Sequence, residues 1–339
     1  MSTALRSPPA PVRTTDLAVT GIGVVVPEDA AGAGVGAGAG DGTAGWFDHR
    51  TRLGPRGFKY LPSGAQYLLA SVRAAVADRG GPDPAPPARR GLVLATNGGL
   101  ADLFDSMDRT VAETGADGLG PALAPYFAVN VLGSRPAAEQ DLKGFALTVG
   151  SPRTAALEAV QAGARALAAG RADTLVVGAC EQAPRGPGGG AEQGSVALVL
   201  ERPAAARSRG ARVHGVCRTA SLFAPPRALA EPDGRRRLAA LTRRTLAGLL
   251  EAGAPVPRVH YVLDGSAAAA AVAEAVSEAL GEGTPPAPGS VSPAGAGCLG
   301  PALHLARMLT GAAPDRLLVT ATCEGHVAFA LVDKEIPPC

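Results

Sequence analysis

The chain has 339 residues, a formal net charge of +2, and a composition that is 46% hydrophobic but only 4% aromatic. Abundant Ala and Gly predict a large core that closes by near approach of backbones rather than by aromatic packing. The near-neutral charge argues against nucleic-acid binding, and the Arg residues of 235–250, beside a Leu/Ala stripe, are typical of a solvated helix face. No uninterrupted apolar run of 18 residues occurs, so we expect no membrane span.

The five cysteines lack CxxC or any other metal-ligand spacing, and no apolar signal segment opens the chain. We therefore expect reduced thiols, a cytoplasmic location, no metal and no cofactor. Residues 1–15 are polar and contain Pro, which predicts a disordered leader. The Gly-rich segment 28–45 is low in complexity and is interpreted as a surface loop rather than a nucleotide site.

The predicted elements alternate between strand and helix along the chain. The first part predicts a strand at 16–27, a helix at 63–80, a strand at 90–97 and a helix at 99–113, followed by a partly extended segment at 123–133. A strand, a turn and a helix are predicted over 147–167. Two further strands are predicted at 172–181 and 195–202, with a Gly/Pro loop at 183–194 between them. The second part predicts a strand at 211–220, a helix ending near 252, a strand at 258–266, helices at 267–281 and 297–311, and two closing strands.

Strands that are apolar throughout, alternating with helices, indicate an α/β protein whose sheets are covered on both faces. The two parts repeat the same order of elements. We therefore predict a duplication with a first half at 16–205 and a second half at 206–339, packed back to back.

Three stretches, in this order, resemble the β-ketoacyl-[acyl carrier protein] synthases, which are condensing enzymes of thiolase fold. They are the opening strand "LAVTGIGVVVP", the stretch "GRADTLVVGACE" at 170–181, and "GSVALVLERPAAARSRGARVHGV" at 194–216. The resemblance covers nearly the whole chain. It implies a thiolase-like, layered αβαβα sandwich of two duplicated α/β halves.

The chemistry of that family requires a Cys nucleophile at a helix N-terminus and two His residues that assist decarboxylation and stabilise developing negative charge. The family's nucleophile motif falls on "SPRTAALEAV", which places Arg153 at the position of the Cys. The motif of the first His falls on "DGSAA" and gives Asp264, and that of the second falls on "AGCLGP" and gives Gly297. We therefore predict that this chain does not catalyse decarboxylative condensation.

A non-condensing subunit of this kind resembles the chain length factor, the ketosynthase β-subunit of type II polyketide synthases. The resemblance implies a heterodimer with an active ketosynthase subunit, an acyl carrier protein that brings a phosphopantetheine-bound acyl chain, and a role in shaping the acyl tunnel. Arg153 departs from the Gln that is common at this position in that group, and the region before 194 is shorter than usual. The chain is therefore interpreted as a divergent member.

The opposite charges at two vacated positions predict an ion pair between Arg153 and Asp264, because an unpaired buried guanidinium is costly. Two other residues are candidate catalytic groups. Cys298 lies at a helix start and is either a displaced nucleophile or a packing thiol, while His326 lies in the turn where the family has its oxyanion region.

The aromatic residues of 100–133 supply candidates for the tunnel lining, with ordinary core packing as the alternative for each of them. They are Phe104, Met107, Tyr126, Phe127 and Val131. Two other functions remain open at this point: a stand-alone acyltransferase that uses a repurposed residue, and a homodimeric module that docks carrier proteins.

Overall fold

The computed structural model describes residues 15–27, 45–182, 192–251, 253, 255–281, 291–293, 295–313 and 316–334. The predicted leader therefore lies outside the described residues, except for its last position. The strands are β1 Leu17–Val25, β2 Arg90–Ala95, β3 Ala146–Val149, β4 Thr174–Glu181, β5 Gly194–Glu201, β6 Gly215–Phe223, β7 Val259–Leu263, β8 Val291–Pro293, β9 Leu317–Ala321 and β10 His326–Asp333. The helices are α1 His49–Arg52, α2 Ser63–Arg79, α3 Ala101–Thr114, α4 Ser134–Glu139, α5 Ala155–Ala168, α6 Pro203–Ser208, α7 Pro232–Leu249, α8 Ala267–Leu280 and α9 Leu299–Thr310.

The strands form two sets of five with the same internal order. The hydrogen-bonded sequence is β3-β2-β4-β5-β1, followed by β6-β10-β9-β7-β8. Numbered within its own half, each set has the order 3-2-4-5-1, and the two sets meet where β1 pairs antiparallel with β6. The predicted duplication is confirmed. The proposed boundary between residues 205 and 206 falls within α6, on the connection between the two sets.

Three apolar clusters separate the layers of the molecule. The largest joins strands of both halves to α5 and α9, so these two helices form a central layer between the two sets of strands. A second cluster covers the outer face of the first half with α2, and a third covers the second half with α7 and α8. The layers therefore alternate as the αβαβα sandwich that the sequence predicts.

Most predicted elements lie where the residue patterns place them. The two closing strands form the antiparallel pair β9–β10, and the continuous apolar runs of β4 and β5 are buried on both faces. The segment 123–133 differs from its prediction, because it folds as two short 3₁₀ helices, Pro121–Phe127 and Val129–Gly133. Pro121 and Pro125 lack the backbone N–H that a strand ladder needs, which favours the turn over an extended strand.

Across the described residues, no helix combines the length and the apolar character needed to cross a bilayer.

Strand β1 and helix α2 approach each other so closely that two positions on the strand accept only glycine. A Cβ atom added at Gly23 would collide with the carbonyl oxygen of Ser71 and lie 2.7 Å from the amide nitrogen of Ala75. One added at Gly21 would collide with the carbonyl oxygen of Ala75. Both obstacles are helix backbone, which cannot rotate away as a side chain can.

We expect Gly23→Ala to lower the free energy of unfolding by about 3 kcal/mol, because the added methyl forces α2 away from the sheet. Urea denaturation followed by circular dichroism measures this loss. Val24→Ala, at a neighbouring side chain that is 43% exposed, is the matched control and should change stability by less than about 1 kcal/mol. Equal effects of the two substitutions would contradict the proposed close approach.

Candidate functional site

The turn between β3 and α5 holds Arg153 in a strained backbone conformation. Its φ is +60°, in the left-handed region, and only one other non-glycine residue of the described chain, Asp141, has a positive φ. Such a conformation costs about 1–2 kcal/mol for a residue with a side chain. A residue in this conformation immediately before a helix presents its side chain at the helix N-terminus, which is the geometry of a nucleophile elbow.

The guanidinium of Arg153 connects this turn with two segments of the second half. Its Nε donates to the carbonyl oxygen of Gly295 at 3.0 Å, and Nη1 donates to both carboxylate oxygens of Glu324 at 2.9 and 3.1 Å. The predicted pairing with Asp264 is therefore wrong. The partner of Arg153 is Glu324, which lies on the turn between β9 and β10, within reach of the guanidinium.

Asp264 has other hydrogen-bond donors. Its two carboxylate oxygens accept from the backbone N–H groups of Ser266 at 3.0 Å and Cys323 at 2.6 Å. Burial raises the pKa of Asp264, but the hydrogen bonds from Ser266 and Cys323 outweigh burial and hold it below its ordinary value. Carboxylate oxygens of Asp264 and Glu324 and the sulfur of Cys323 lie within 4.8 Å of one another, so Asp264 belongs to the same acidic cluster as the partner of Arg153.

Beside Gly297, the position that the resemblance assigns to the second His, lies a side chain from the other half. A Cβ atom added at Gly297 would lie only 2.5 Å from the carboxyl carbon of Glu181, which is buried at the end of β4. That carboxylate accepts from the backbone N–H groups of Asn97, Gly98 and Cys298 at 2.8, 2.6 and 2.9 Å. An imidazole at position 297 has no space unless Glu181 moves.

A second buried carboxylate, that of Glu192, reaches the same helix N-terminus. It accepts from the backbone N–H of Leu299 at 2.6 Å and of Gly300 at 3.0 Å, and it packs against Gly295. Burial, and then the charge of Glu181, raise the pKa of Glu192 to about 7. The motif "GRADTLVVGACE" ends in Glu181 and therefore points to that residue, whereas Glu192 lies in the predicted Gly/Pro loop and belongs to no motif.

Cys298 is fully buried immediately before α9. Burial, and then the charges of Glu181 and Glu192, raise the pKa of its thiol well above the ordinary value. The thiolate is the nucleophilic form of cysteine, so this environment suppresses nucleophilic reactivity. Cys180, at the end of β4, is also fully buried, and burial raises the pKa of its thiol as well.

His326 lies at the start of β10, with its Nδ1 atom 3.9 Å from the carboxylate of Glu158 and its ring edge-on to Phe223. Glu158 in the first turn of α5 already accepts from two hydroxyl groups, Ser151 at 2.5 Å and Thr154 at 2.9 Å. Glu158 therefore fastens the elbow to α5, and His326 lies at the border of this group rather than inside it. The two other histidines near α9, His260 and His304, stack in the core with ring centroids 3.5 Å apart.

The candidate tunnel residues lie on α3 and the two 3₁₀ helices. Met107 is buried and Tyr126 and Val131 are half-buried, whereas Phe104 is 38% and Phe127 62% exposed. The segment Val129–Gly133 contacts β3, which is the edge strand of the first half. Leu147 on β3 is 41% and Val129 43% exposed. We define the edge surface as β3 together with 121–133.

Taken together, the three positions that the resemblance assigns to catalytic residues, and the helix N-terminus beside them, hold an ion pair, a hydrogen-bonded Asp and two buried carboxylates. None of these groups is a nucleophile with an adjacent base, which is the arrangement that acyl transfer requires. Arg153, Glu181 and Glu192 each form hydrogen bonds between the two halves.

Comparison with known proteins gives a consistent result for the fold. The family model of the β-ketoacyl synthase N-terminal domain matches residues 37–221, more than half of the chain. No curated protein matches the chain significantly.

Several solved structures are similar over nearly the whole chain. One is a complex of a type II polyketide synthase acyl carrier protein with its ketosynthase bound to the hexaketide (AntDE:AntF), with 17% identity, 95% of this chain and 100% of that chain covered, and a TM-score of 0.69. Another is the ishigamide ketosynthase/chain length factor, with 20% identity, coverages of 94% and 99%, and a TM-score of 0.68. A third is an oxazolomycin ketosynthase domain from Streptomyces albus, with 19% identity, coverages of 95% and 96%, and a TM-score of 0.64. These likenesses confirm the predicted thiolase-like fold.

The strain at Arg153 can be tested by comparing two substitutions. Arg153→Ala and Arg153→Gly both lose the contacts with Glu324 and Gly295, but only glycine adopts the left-handed conformation without strain. We expect the Gly variant to be more stable than the Ala variant by about 1 kcal/mol in urea denaturation.

Arg165 provides the matched control, because it is an exposed residue inside α5. There the order should reverse, with the Gly variant about 1 kcal/mol less stable than the Ala variant. If the Gly variant is less stable than the Ala variant at position 153 as well, the strain at Arg153 is contradicted.

Proposed function

The chain belongs to the β-ketoacyl synthase family, and from this we propose that it is a non-catalytic subunit of chain-length-factor type. In this proposal it pairs with an active ketosynthase and shapes the space into which the acyl chain grows. An acyl carrier protein delivers the acyl groups to the active subunit, which alone performs the condensation.

The observation that carries the proposal is the occupied site. Condensation requires a thiolate and groups that stabilise the developing charge, and the three positions that would supply them hold Arg153, Asp264 and Gly297. Glu181 fills the space beside Gly297, and Glu324 neutralises Arg153. The elbow thus presents a paired guanidinium in place of a nucleophile, while both sets of five strands are present around it.

The edge surface supports the pairing with another subunit. Strand β3 bonds to β2 on one side only within the described chain, so its other edge offers free backbone groups to a further strand. The apolar side chains of Leu147, Phe127 and Val129 are exposed around this edge. An unpaired edge flanked by exposed apolar side chains is typical of a protein–protein interface.

Similar solved proteins support the choice of partners. One of them is named as a ketosynthase/chain length factor, and another is a ketosynthase in complex with an acyl carrier protein. We infer by analogy that an active ketosynthase occupies the edge surface of this chain. The tunnel then runs past the residues that border that surface, including Phe104 and Phe127.

The pairing is tested by co-expressing the full chain with an active type II ketosynthase and measuring complex formation by size-exclusion chromatography and titration. We expect a one-to-one complex, and we expect Leu147→Asp to weaken it at least tenfold, because a carboxylate on the edge strand must be desolvated in the interface. Val256→Asp is the matched control, since Val256 is 53% exposed in the second half, away from the edge surface. If Val256→Asp weakens the complex as much as Leu147→Asp does, the edge surface is not the interface.

A stable homodimer that ignores ketosynthases would instead favour a carrier-protein docking module. Turnover of an acyl thioester by this chain alone would favour a stand-alone acyltransferase, and the effects of Cys298→Ala and His326→Ala on that turnover would identify its catalytic group. Either result contradicts the subunit proposal.

The role in chain length is tested in the reconstituted complex with malonyl-loaded carrier protein. We expect Phe127→Ala to shift the product distribution, detected by mass spectrometry, towards longer chains, because removing an aromatic ring enlarges the adjoining space. Tyr60→Ala is the control, since Tyr60 is 87% exposed outside the edge surface. An unchanged product distribution in Phe127→Ala, with the complex intact, would remove Phe127 from the tunnel lining.

A further inference from the structure

Two buried carboxylates of the first half meet at the N-terminus of one helix of the second half. Glu181 is 2% and Glu192 4% exposed. Together they accept hydrogen bonds from three consecutive backbone N–H groups, those of Cys298, Leu299 and Gly300, at 2.9, 2.6 and 3.0 Å. The first turn of α9 is thus fastened to the other half chiefly through acidic side chains.

The space around the two carboxylates is closed. A Cβ atom added at Gly297 would lie 2.5 Å from Glu181, and one added at Gly295 would lie 2.5 Å from Glu192. Among the described residues, neither carboxylate forms an ion pair with Lys, Arg or His. The cation that acts on Glu192 is Arg153, whose guanidinium is bound to the carbonyl oxygen of Gly295, the residue against which Glu192 packs.

We propose that Glu192 is a proton-operated latch between the two halves. As a neutral acid it allows residues 295–300 to close over Glu181; as a carboxylate it repels Glu181 and loosens the first turn of α9. This inference does not depend on the proposed function, and a failed pairing experiment would leave it standing.

The charged groups that face Glu192 have opposing effects on its ionisation. Burial and the charge of Glu181 raise its pKa, whereas the N–H groups of Leu299 and Gly300 and the charge of Arg153 lower it. The buried thiol of Cys298 lies beside both acids and stays protonated, because burial, and then the charges of Glu181 and Glu192, raise its pKa. The result for Glu192 is a pKa of about 7 against an ordinary value of 4.5.

The sign of the effect on stability follows from this raised pKa. Between pH 4.5 and about 7 the folded protein binds a proton at Glu192 that the unfolded chain has released. The contribution of this group to stability is therefore fully present below pH 4.5, falls as the pH rises, and is lost above about 7. The shift from 4.5 to about 7 allows a change of at most about 300-fold in the unfolding equilibrium constant over the whole pH range.

Glu192→Gln tests the latch, because glutamine has the shape of the neutral acid and does not titrate. We expect the ratio of the unfolding equilibrium constants, wild type over variant, to rise at least tenfold between pH 5 and pH 8 in urea denaturation. Hydrogen exchange of the amides of Leu299 and Gly300 should accelerate over the same range in the wild type but not in the variant, after correction for intrinsic exchange rates. Parallel pH profiles of the two proteins would overturn the proposal.

Glu158→Gln is the matched control, because Glu158 also lies at a helix N-terminus of the site but is half-buried and bonded to hydroxyl groups. The ratio of the unfolding equilibrium constants, wild type over Glu158→Gln, should not show the rise between pH 5 and pH 8. If Glu192→Gln does not fold, the wild type decides the question: NMR titration of carboxyl-¹³C-labelled Glu should show one resonance that titrates near pH 7. The absence of any Glu resonance titrating above pH 6 would equally overturn the latch.

Discussion

The convergence of two helix N-termini between the halves is the constraint on which the site depends. Helices α5 and α9 form the central layer, and the turn before α5 contacts the loop before α9 through the bond from Arg153 to Gly295. Each N-terminus carries unsatisfied N–H groups and a partial positive charge. A structure that brings two of them together needs hydrogen-bond acceptors at that point, and this chain supplies the carboxyl groups of Glu158, Glu181 and Glu192.

Arg153 is the exception to this electrostatic pattern, since a cation at a helix N-terminus is unfavourable. Its contacts explain how the structure tolerates it: the side chain leads away from α5 to Glu324 and to a carbonyl oxygen of the second half. The pair is partly exposed, so its contribution to stability is modest, about 1 kcal/mol or less. The main effect of Arg153 is structural, because its side chain connects the turn before α5 with the loop before α9 and the turn between β9 and β10.

The sequence predicts the architecture better than the contacts within the site. The order of apolar segments repeats along the chain, and it correctly predicted two duplicated halves and the positions of β4, β5 and α8. The partner of Arg153 was predicted wrongly because Glu324 and Asp264 are both acidic, both follow strands of the second half, and lie close together in the fold. Glu192 could not be predicted, since a carboxylate in a Gly-rich loop carries no local pattern that reveals its burial.

The acidic cluster around the Arg153 guanidinium also disfavours a reactive thiol there. Cys323 belongs to this cluster, and loss of hydration, followed by the carboxylates of Asp264 and Glu324, raises the pKa of its thiol. An active nucleophile requires the opposite shift. The space beside Gly297, the position that the resemblance assigns to the second His, is filled as well, because Glu181 cannot leave it without freeing three backbone N–H groups. Glu181 thus binds a helix N-terminus and also fills the space beside Gly297, while Glu324 pairs with Arg153, which supports the proposed non-catalytic role.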